Sequence, residues 1–260
     1  MEILKKTIKS GNASAVVLPK AWLDKRVRIK LVDIDSETIL YDVLDIVKPI
    51  VDLSEIIGIY LVGSYARKDM EEASDIDILV ITEKISKELI KKGNYEIMII
   101  SLDLLDYKLN ENLLPIGTML KEAKPLLNSN FLKNINIKVT KKNIKWFLDT
   151  TKSSLAIVNE SISLIEKSKP DGKLSDLIAY SLILRLRTLY MIDLLNKNKV
   201  YNKNDFIKLI ENISGSKIAY ERYIYAKGNE ESKRELLVNE GKKIYEYLKK
   251  YLINIEKQVK

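Results

Sequence analysis

The sequence predicts an α+β protein in three parts: a small N-terminal β segment, a mixed α/β core and a C-terminal all-α bundle. Three observations carry this. Short strand-like runs flank a Gly11-Asn12 turn within residues 1–40. Continuous apolar runs, IIGIYLV and IDILVI, stand between turn and helix signals within residues 41–127. From about Lys141 the apolar residues change to helical spacing, and residues 138–260 read as one bundle.

In the first segment, strands are expected at Lys6 to Lys9 and Ala15 to Leu18, the second ending at Pro19. Proline can open a helical turn, here KAWLDK. A third strand, Val27 to Val32, alternates apolar and basic residues. Such a unit is too small to bury a core alone. In the second segment Ile56 to Val62 and Ile76 to Ile81 read as buried strands with a short helix at 65–72 between them. Ser86 to Lys92 reads as helix, Gly93-Asn94 as a turn and Tyr95 to Ser101 as a third strand, followed by helices at Leu102 to Glu111 and Pro115 to Glu122. In the third segment Ile144, Phe147, Leu148, Leu155, Val158 and Ile162 mark a long helix ended by Pro170-Asp171-Gly172. Leu174 to Leu195 is the most apolar helix. Asp205 to Ile213, Ser216 to Ala226 and Glu231 to Glu256 complete a bundle of about five.

The chain of 260 residues contains neither cysteine nor histidine. Disulfides, thiolate metal sites, histidine bases and Ser-His or Cys-His nucleophiles are therefore excluded. A metal could be held only by oxygen ligands, which points to magnesium or manganese (Mg²⁺ or Mn²⁺). The start, MEILKKTIKSGN, lacks the apolar core of a signal peptide, and no uninterrupted apolar run is long enough to span a membrane. A cytoplasmic protein that does not enter the membrane is expected. The net charge of +8 is uneven: +3 over residues 1–40, −6 over 41–125 and +11 over 126–260.

The acidic middle holds the stretch GSYARKDMEEASDIDILV, residues 63–80. Side chains alternate faces along a strand, so Asp75 and Asp77 point the same way. Two adjacent carboxylates repel unless they share a proton or a cation, and a divalent metal would resolve the conflict. Gly63-Ser64 stands where a strand turns into a helix, a place where free amides meet phosphate and glycine allows close approach. Arg67 and Lys68, one turn on, could neutralise phosphate charge. The combination suits metal-assisted phosphoryl or nucleotidyl transfer.

This stretch resembles the minimal nucleotidyltransferases of the polymerase-β-like superfamily. The likeness spans about residues 50–125 and rests on the apolar strand, Gly63-Ser64, the ten-residue gap and Asp75-Ile76-Asp77, with Tyr65-Ala66-Arg67 also matching. One departure is Lys68, where the family usually has glycine. The resemblance implies an NTP substrate, ATP first among candidates. It implies metal ions on Asp75 and Asp77, β- and γ-phosphates on Ser64 and the Gly63 backbone, and transfer of NMP to an acceptor hydroxyl. It also implies a third carboxylate near the acceptor, for which Glu96 is the candidate and Asp103 the alternative; its absence would favour a pseudoenzyme.

The segment TIKSGNASAVVLPKAWLDKRVRIKLV resembles AbrB-type swapped-hairpin DNA-binding proteins. That likeness implies a homodimer, with Lys5, Lys6, Lys9, Lys20, Arg26 and Arg28 among the residues facing DNA phosphates; the competing reading is dimerisation alone. The bundle resembles HEPN-like helical domains. It lacks the histidine that the RNase members need. Arg185 and Arg187 lie in its apolar helix, and burying them calls for partners; Asp176, Asp193 or acids on neighbouring helices are the expected pairing, and a place in the cleft the alternative. The leading function is a metal-dependent nucleotidyltransferase. A DNA-binding regulator, or a toxin–antitoxin component, with an NTP-sensing or vestigial site is the alternative.

Overall fold

The computed structural model describes residues 3, 5, 7–29, 35–71, 74–169, 172–228 and 235–259, and the side chains of all but Glu88 within them. The chain divides into two compact units, Met1–Asp35 and Ser36–Lys260.

In the first unit β1 (Ile8–Ser10) and β2 (Ala13–Ala15) form an antiparallel hairpin, with Ile8 opposite Ala15. Gly11 takes φ +60° in the turn, a conformation that favours glycine. Pro19 precedes a single 3₁₀ turn, Lys20–Trp22, where a helical turn was expected. None of the unit's described residues is buried, as its size dictates. Val27 to Ile29 form no strand; Lys30 to Val32, the rest of the expected third strand, lie outside the described residues, as does Lys6.

The second unit opens with α1 (Ser36–Val47), a helix that the sequence reading did not anticipate and that runs across residue 40. It buries Ile39, Val43, Ile46 and Val47 against the sheet, each such burial being worth about 1.5–3 kcal/mol. Then follow β3 (Ile56–Val62), α2 (Gly63–Arg67), β4 (Ile76–Thr82), β5 (Lys87–Lys92), β6 (Tyr95–Ser101), α3 (Leu102–Glu111), α4 (Ile116–Glu122), β7 (Lys124–Leu127) and α5 (Ser129–Asn134). The five strands order as β5-β6-β4-β3-β7; β4 and β6 are parallel, and the other pairs antiparallel. β5 corrects the expectation of a helix at 86–92. Its lysines and glutamate favour helix locally, but the Gly93-Asn94 turn folds it back on β6 as an edge strand, where lysines are common. α2 is also shorter than the expected 65–72.

Both faces of this sheet are covered, which is why β3 and β4 read as unbroken apolar runs. Ile59, Leu61, Ile78, Val80 and Ile97 face α1. Tyr60, Val62, Leu79, Ile81 and Ile100 pack with Leu105, Ile116 and Leu120 of α3 and α4. By alternation Asp77 and Glu96 share this second face.

The rest is helical: α6 (Lys141–Ser168), α7 (Asp176–Asn196), α8 (Lys203–Ser214), α9 (Ile218–Gly228) and α10 (Val238–Gln258), with a two-residue pairing of β8 (Lys173–Leu174) and β9 (Leu236–Leu237). Pro170, Asp171 and residues 231–234 of the expected last helix lie outside the described residues. Leu182, Leu186 and Leu189 of α7 are fully enclosed by the other helices. Among the described residues no helix is long and apolar enough to cross a membrane.

Asn143, 2% exposed, ties the sheet region to the bundle. Its amide donates to the carbonyls of Leu109 and Lys138, and its side-chain oxygen accepts from the Thr140 amide at the start of α6. Asn143→Ala leaves these buried groups without partners and should cost about 2–3 kcal/mol, read as a lower urea midpoint at unchanged slope.

Candidate active site

The site is built where β3 ends. Val62 pairs with Asp77 across the antiparallel β3–β4 ladder, so the chain turns into α2 directly over the Asp77 side chain. Gly63 makes that turn at φ +68°. A Cβ at Gly63 would lie 2.1 Å from Asp77 Oδ2, so no other residue fits without moving the carboxylate.

On the other side of β4 the parallel ladder sets Asp77 directly opposite Glu96. Asp75 immediately precedes β4 and is exposed, while Asp77 and Glu96 are half-buried. Asp103, the other candidate third carboxylate, stands in the first turn of α3, beyond the far end of β6. A seven-residue strand is about 20 Å long, so the topology brings Glu96, not Asp103, to Asp77. Lys91 of β5 pairs with Glu96.

Burial, then the charges of Glu96, Asp75 and Glu122, push the Asp77 carboxyl up to about 6, with Arg67 pulling it the other way. Glu122, at the end of α4, is a member of the site that sequence reasoning missed. One oxygen accepts from the Gly63 amide at 2.8 Å, and the other from the Arg67 guanidinium at 2.8 Å. Burial raises the pKa of Glu122 against the pull of those two partners. Arg67 also bonds Asp69 at 3.2 Å. Burial opposes its charge, but Glu122 and Asp69 outweigh it and hold its pKa above the ordinary arginine value. The Gly63 amide and Arg67, two groups expected to meet phosphate, are thus both bonded to one internal carboxylate.

Ser64 is half-buried in the first turn of α2. Lys68 is exposed and caps α2 in the left-handed region, φ 63° and ψ 32°. That conformation costs a residue with a side chain about 1 kcal/mol and suits glycine, which gives the usual glycine at this position a backbone reason. Of the basic residues expected to face DNA, Lys5, Lys9, Lys20, Arg26 and Arg28 are all exposed in the separate N-terminal unit.

A cavity of about 410 Å³ opens on this site, with Gly63, Arg67, Asp77 and Glu122 on one wall and Phe147, Leu184, Arg187, Thr188 and Met191 of the bundle on the other. Arg187 is therefore in the cleft, and the expected pairing with Asp176 or Asp193 is not found. Asp176 meets Arg222, and Asp193 meets Lys197 and Tyr251. Arg185 donates instead to Thr150 Oγ1 at 3.2 Å.

The donor set suits a hard cation. Among the described residues no group of three acidic side chains stands ready to cage an ion. Magnesium sites in nucleotide enzymes, however, take one or two carboxylates and complete their shell with substrate phosphates and water. The Asp75–Asp77 pair, with surplus negative charge beside a cleft, fits that kind of site.

Residues 42–146 match the family model of the nucleotidyltransferase domain. No curated protein sequence matches the chain. Among solved structures, spectinomycin adenyltransferase AAD(9) from Enterococcus faecialis, crystallised with ATP and spectinomycin, is 16% identical. The match covers 82% of this chain and 99% of that one, and the likeness is loose, with a TM-score of 0.41.

The raised pKa of Asp77 fixes the sign of a pH effect. Below about pH 4 the group is protonated in both folded and unfolded chains. Between about 4 and 6 the unfolded chain ionises first, so the contribution of Asp77 to stability falls as pH rises. In chelator-containing buffer Asp77→Asn should stabilise the protein by about 1–2 kcal/mol at pH 7.5, after allowing for solvent screening. Thermal melts at pH 4 should show almost none of that gain.

Proposed function

We propose that the protein is a metal-dependent nucleotidyltransferase that moves NMP from an NTP, ATP first among candidates, to an acceptor hydroxyl. The observation that carries this reading is the register of β4 against β6, which sets Asp77 beside Glu96 under the Gly63 turn, inside the segment that matches the nucleotidyltransferase domain.

In this reading Asp75 and Asp77 hold Mg²⁺ or Mn²⁺. When bound, the ion would neutralise the carboxylate pair and polarise phosphate oxygens. The Gly63 backbone and Ser64 receive the β- and γ-phosphates, while Arg67 and Lys68 offset their charge. Phosphate oxygens compete with Glu122 for the Gly63 amide and for Arg67, so nucleotide entry exchanges one anion for another. Glu96 takes the proton of the acceptor hydroxyl as its oxygen attacks the α-phosphorus. The bond from that phosphorus to the bridging oxygen breaks, and pyrophosphate leaves.

The N-terminal unit favours a second element of the proposal. Ile8, Val17, Leu23, Val27 and Ile29 are 43–72% exposed there, and a second copy of the unit would cover them. A homodimer would then present Lys5, Lys9, Lys20, Arg26 and Arg28 to DNA phosphates, and such binding would weaken steeply with salt.

Incubation with α-labelled NTPs, Mg²⁺ or Mn²⁺ and cell extract should yield a labelled acceptor. Asp75→Ala and Asp77→Ala should each cut labelling by about a hundredfold or more. Glu96→Gln should slow transfer while leaving NTP affinity within about threefold. Undiminished labelling by the aspartate variants would refute the assignment.

A further inference from the structure

We infer that the acceptor is an anionic hydroxyl compound with an apolar face, and not a polycation, and that Arg187 is the residue that selects it. This rests on the transferase reading above and adds the substrate class.

The two walls of the cleft differ in kind. On the transferase wall the charges answer one another, since Glu122 takes both the Gly63 amide and Arg67. Asp77 is the carboxylate left over, and it belongs to the end where nucleotide and cation meet. The bundle wall carries Leu184, Arg187, Thr188 and Met191, positions i, i+3, i+4 and i+7 on one face of α7, and Phe147 from α6. It is apolar apart from the Thr188 hydroxyl and the Arg187 guanidinium, and no carboxylate lines it among the described residues.

Arg187 is held for a purpose other than ion pairing. Its guanidinium lies 5.4 Å from the centroid of the Tyr201 ring, and Tyr201 and Tyr223 favour its charge against the cost of burial. Arg67 lies over the same ring at 5.5 Å, but Arg67 is neutralised by Glu122 and Asp69. Stacking fixes the orientation of a guanidinium and leaves its charge in place. A polyaminated acceptor would meet an immobile cation and an apolar surface, with no acidic partner on that wall. A molecule with an aromatic or aliphatic face could lie on Phe147, Leu184 and Met191, and a carboxylate or phosphate on it could reach Arg187.

The test is equilibrium binding to the full chain loaded with magnesium and the α,β-methylene analogue of ATP, which cannot transfer. Three probes are compared: 4-hydroxyphenylacetate, 4-hydroxyphenyl phosphate and the polyaminated sugar neomycin. The two anions should bind and neomycin should not. Arg187→Gln should weaken the anions by about ten- to a hundredfold and leave affinity for the ATP analogue unchanged. Arg187→Lys should recover part of the loss, and a melting curve shared with wild type establishes that both variants fold. Binding of neomycin, binding of neither anion, or anion binding indifferent to Arg187→Gln would overturn the inference. A parallel loss of ATP-analogue affinity would move Arg187 to the nucleotide and overturn it too. Failure of the wild type to bind the ATP analogue at all would instead strike the transferase reading on which the inference rests.

Discussion

The carboxylate of Asp77 ionises against burial and against Glu96, Asp75 and Glu122, and the surrounding structure holds it in that unfavourable place. The parallel β4–β6 ladder sets Glu96 beside it. The turn at Gly63 presses over it so closely that only a hydrogen fits where other residues carry Cβ. Such an arrangement costs the folded protein stability whenever the Asp77 carboxyl is ionised. The apolar sheet supplies the rigidity. Ile78, Val80, Leu79 and Ile81 are buried on alternate faces of the strand that carries Asp77, so the carboxylate cannot drift from its neighbours without disrupting both cores.

Glu122 makes the second half of the arrangement. It closes α4 onto the Gly63 turn and onto Arg67, keeping the Gly63 amide and the Arg67 guanidinium ordered and satisfied. Arg67 then reaches over Tyr201, whose ring also carries Arg187 of the bundle. The sheet region and the bundle are thereby joined at the cleft itself, through an aromatic ring that both guanidinium groups approach. Asn143 makes a second junction away from the chemistry, through the carbonyls of Leu109 and Lys138.

The strands that bear the site were legible in the sequence because both their faces are covered, which leaves apolar runs broken only by Asp77 in β4 and Glu96 in β6. The glycine turn was legible because its geometry is local, whereas the strand that carries Asp77 begins at Ile76 and leaves Asp75 just ahead of it. The helix α1 carries a signal in Ile39, Val43, Ile46 and Val47, at helical spacing, that its position beside the β segment obscures. β5 was misread since its composition favours helix and only its pairing with β6 makes it a strand. β7 and α5 are short, and the place of β7 is set by β3, far away in sequence. Glu122 was hidden for the same reason, lying 59 residues from Gly63. The partners of Arg187 are not legible in the sequence, because Asp176 and Asp193 serve Arg222, Lys197 and Tyr251 instead.

The central claim is that the charge gathered at Asp77 is held for a nucleotide and its cation together. Thermal melting of the wild type and Asp77→Asn, each with Mg²⁺ alone, ATP with chelator, and Mg²⁺ with ATP, tests it most directly. The account predicts a rise of about 5 °C for the wild type with both ligands, much less with either alone, and little response from Asp77→Asn. An equal rise in the variant, or a full rise in the wild type with ATP and chelator, would contradict it.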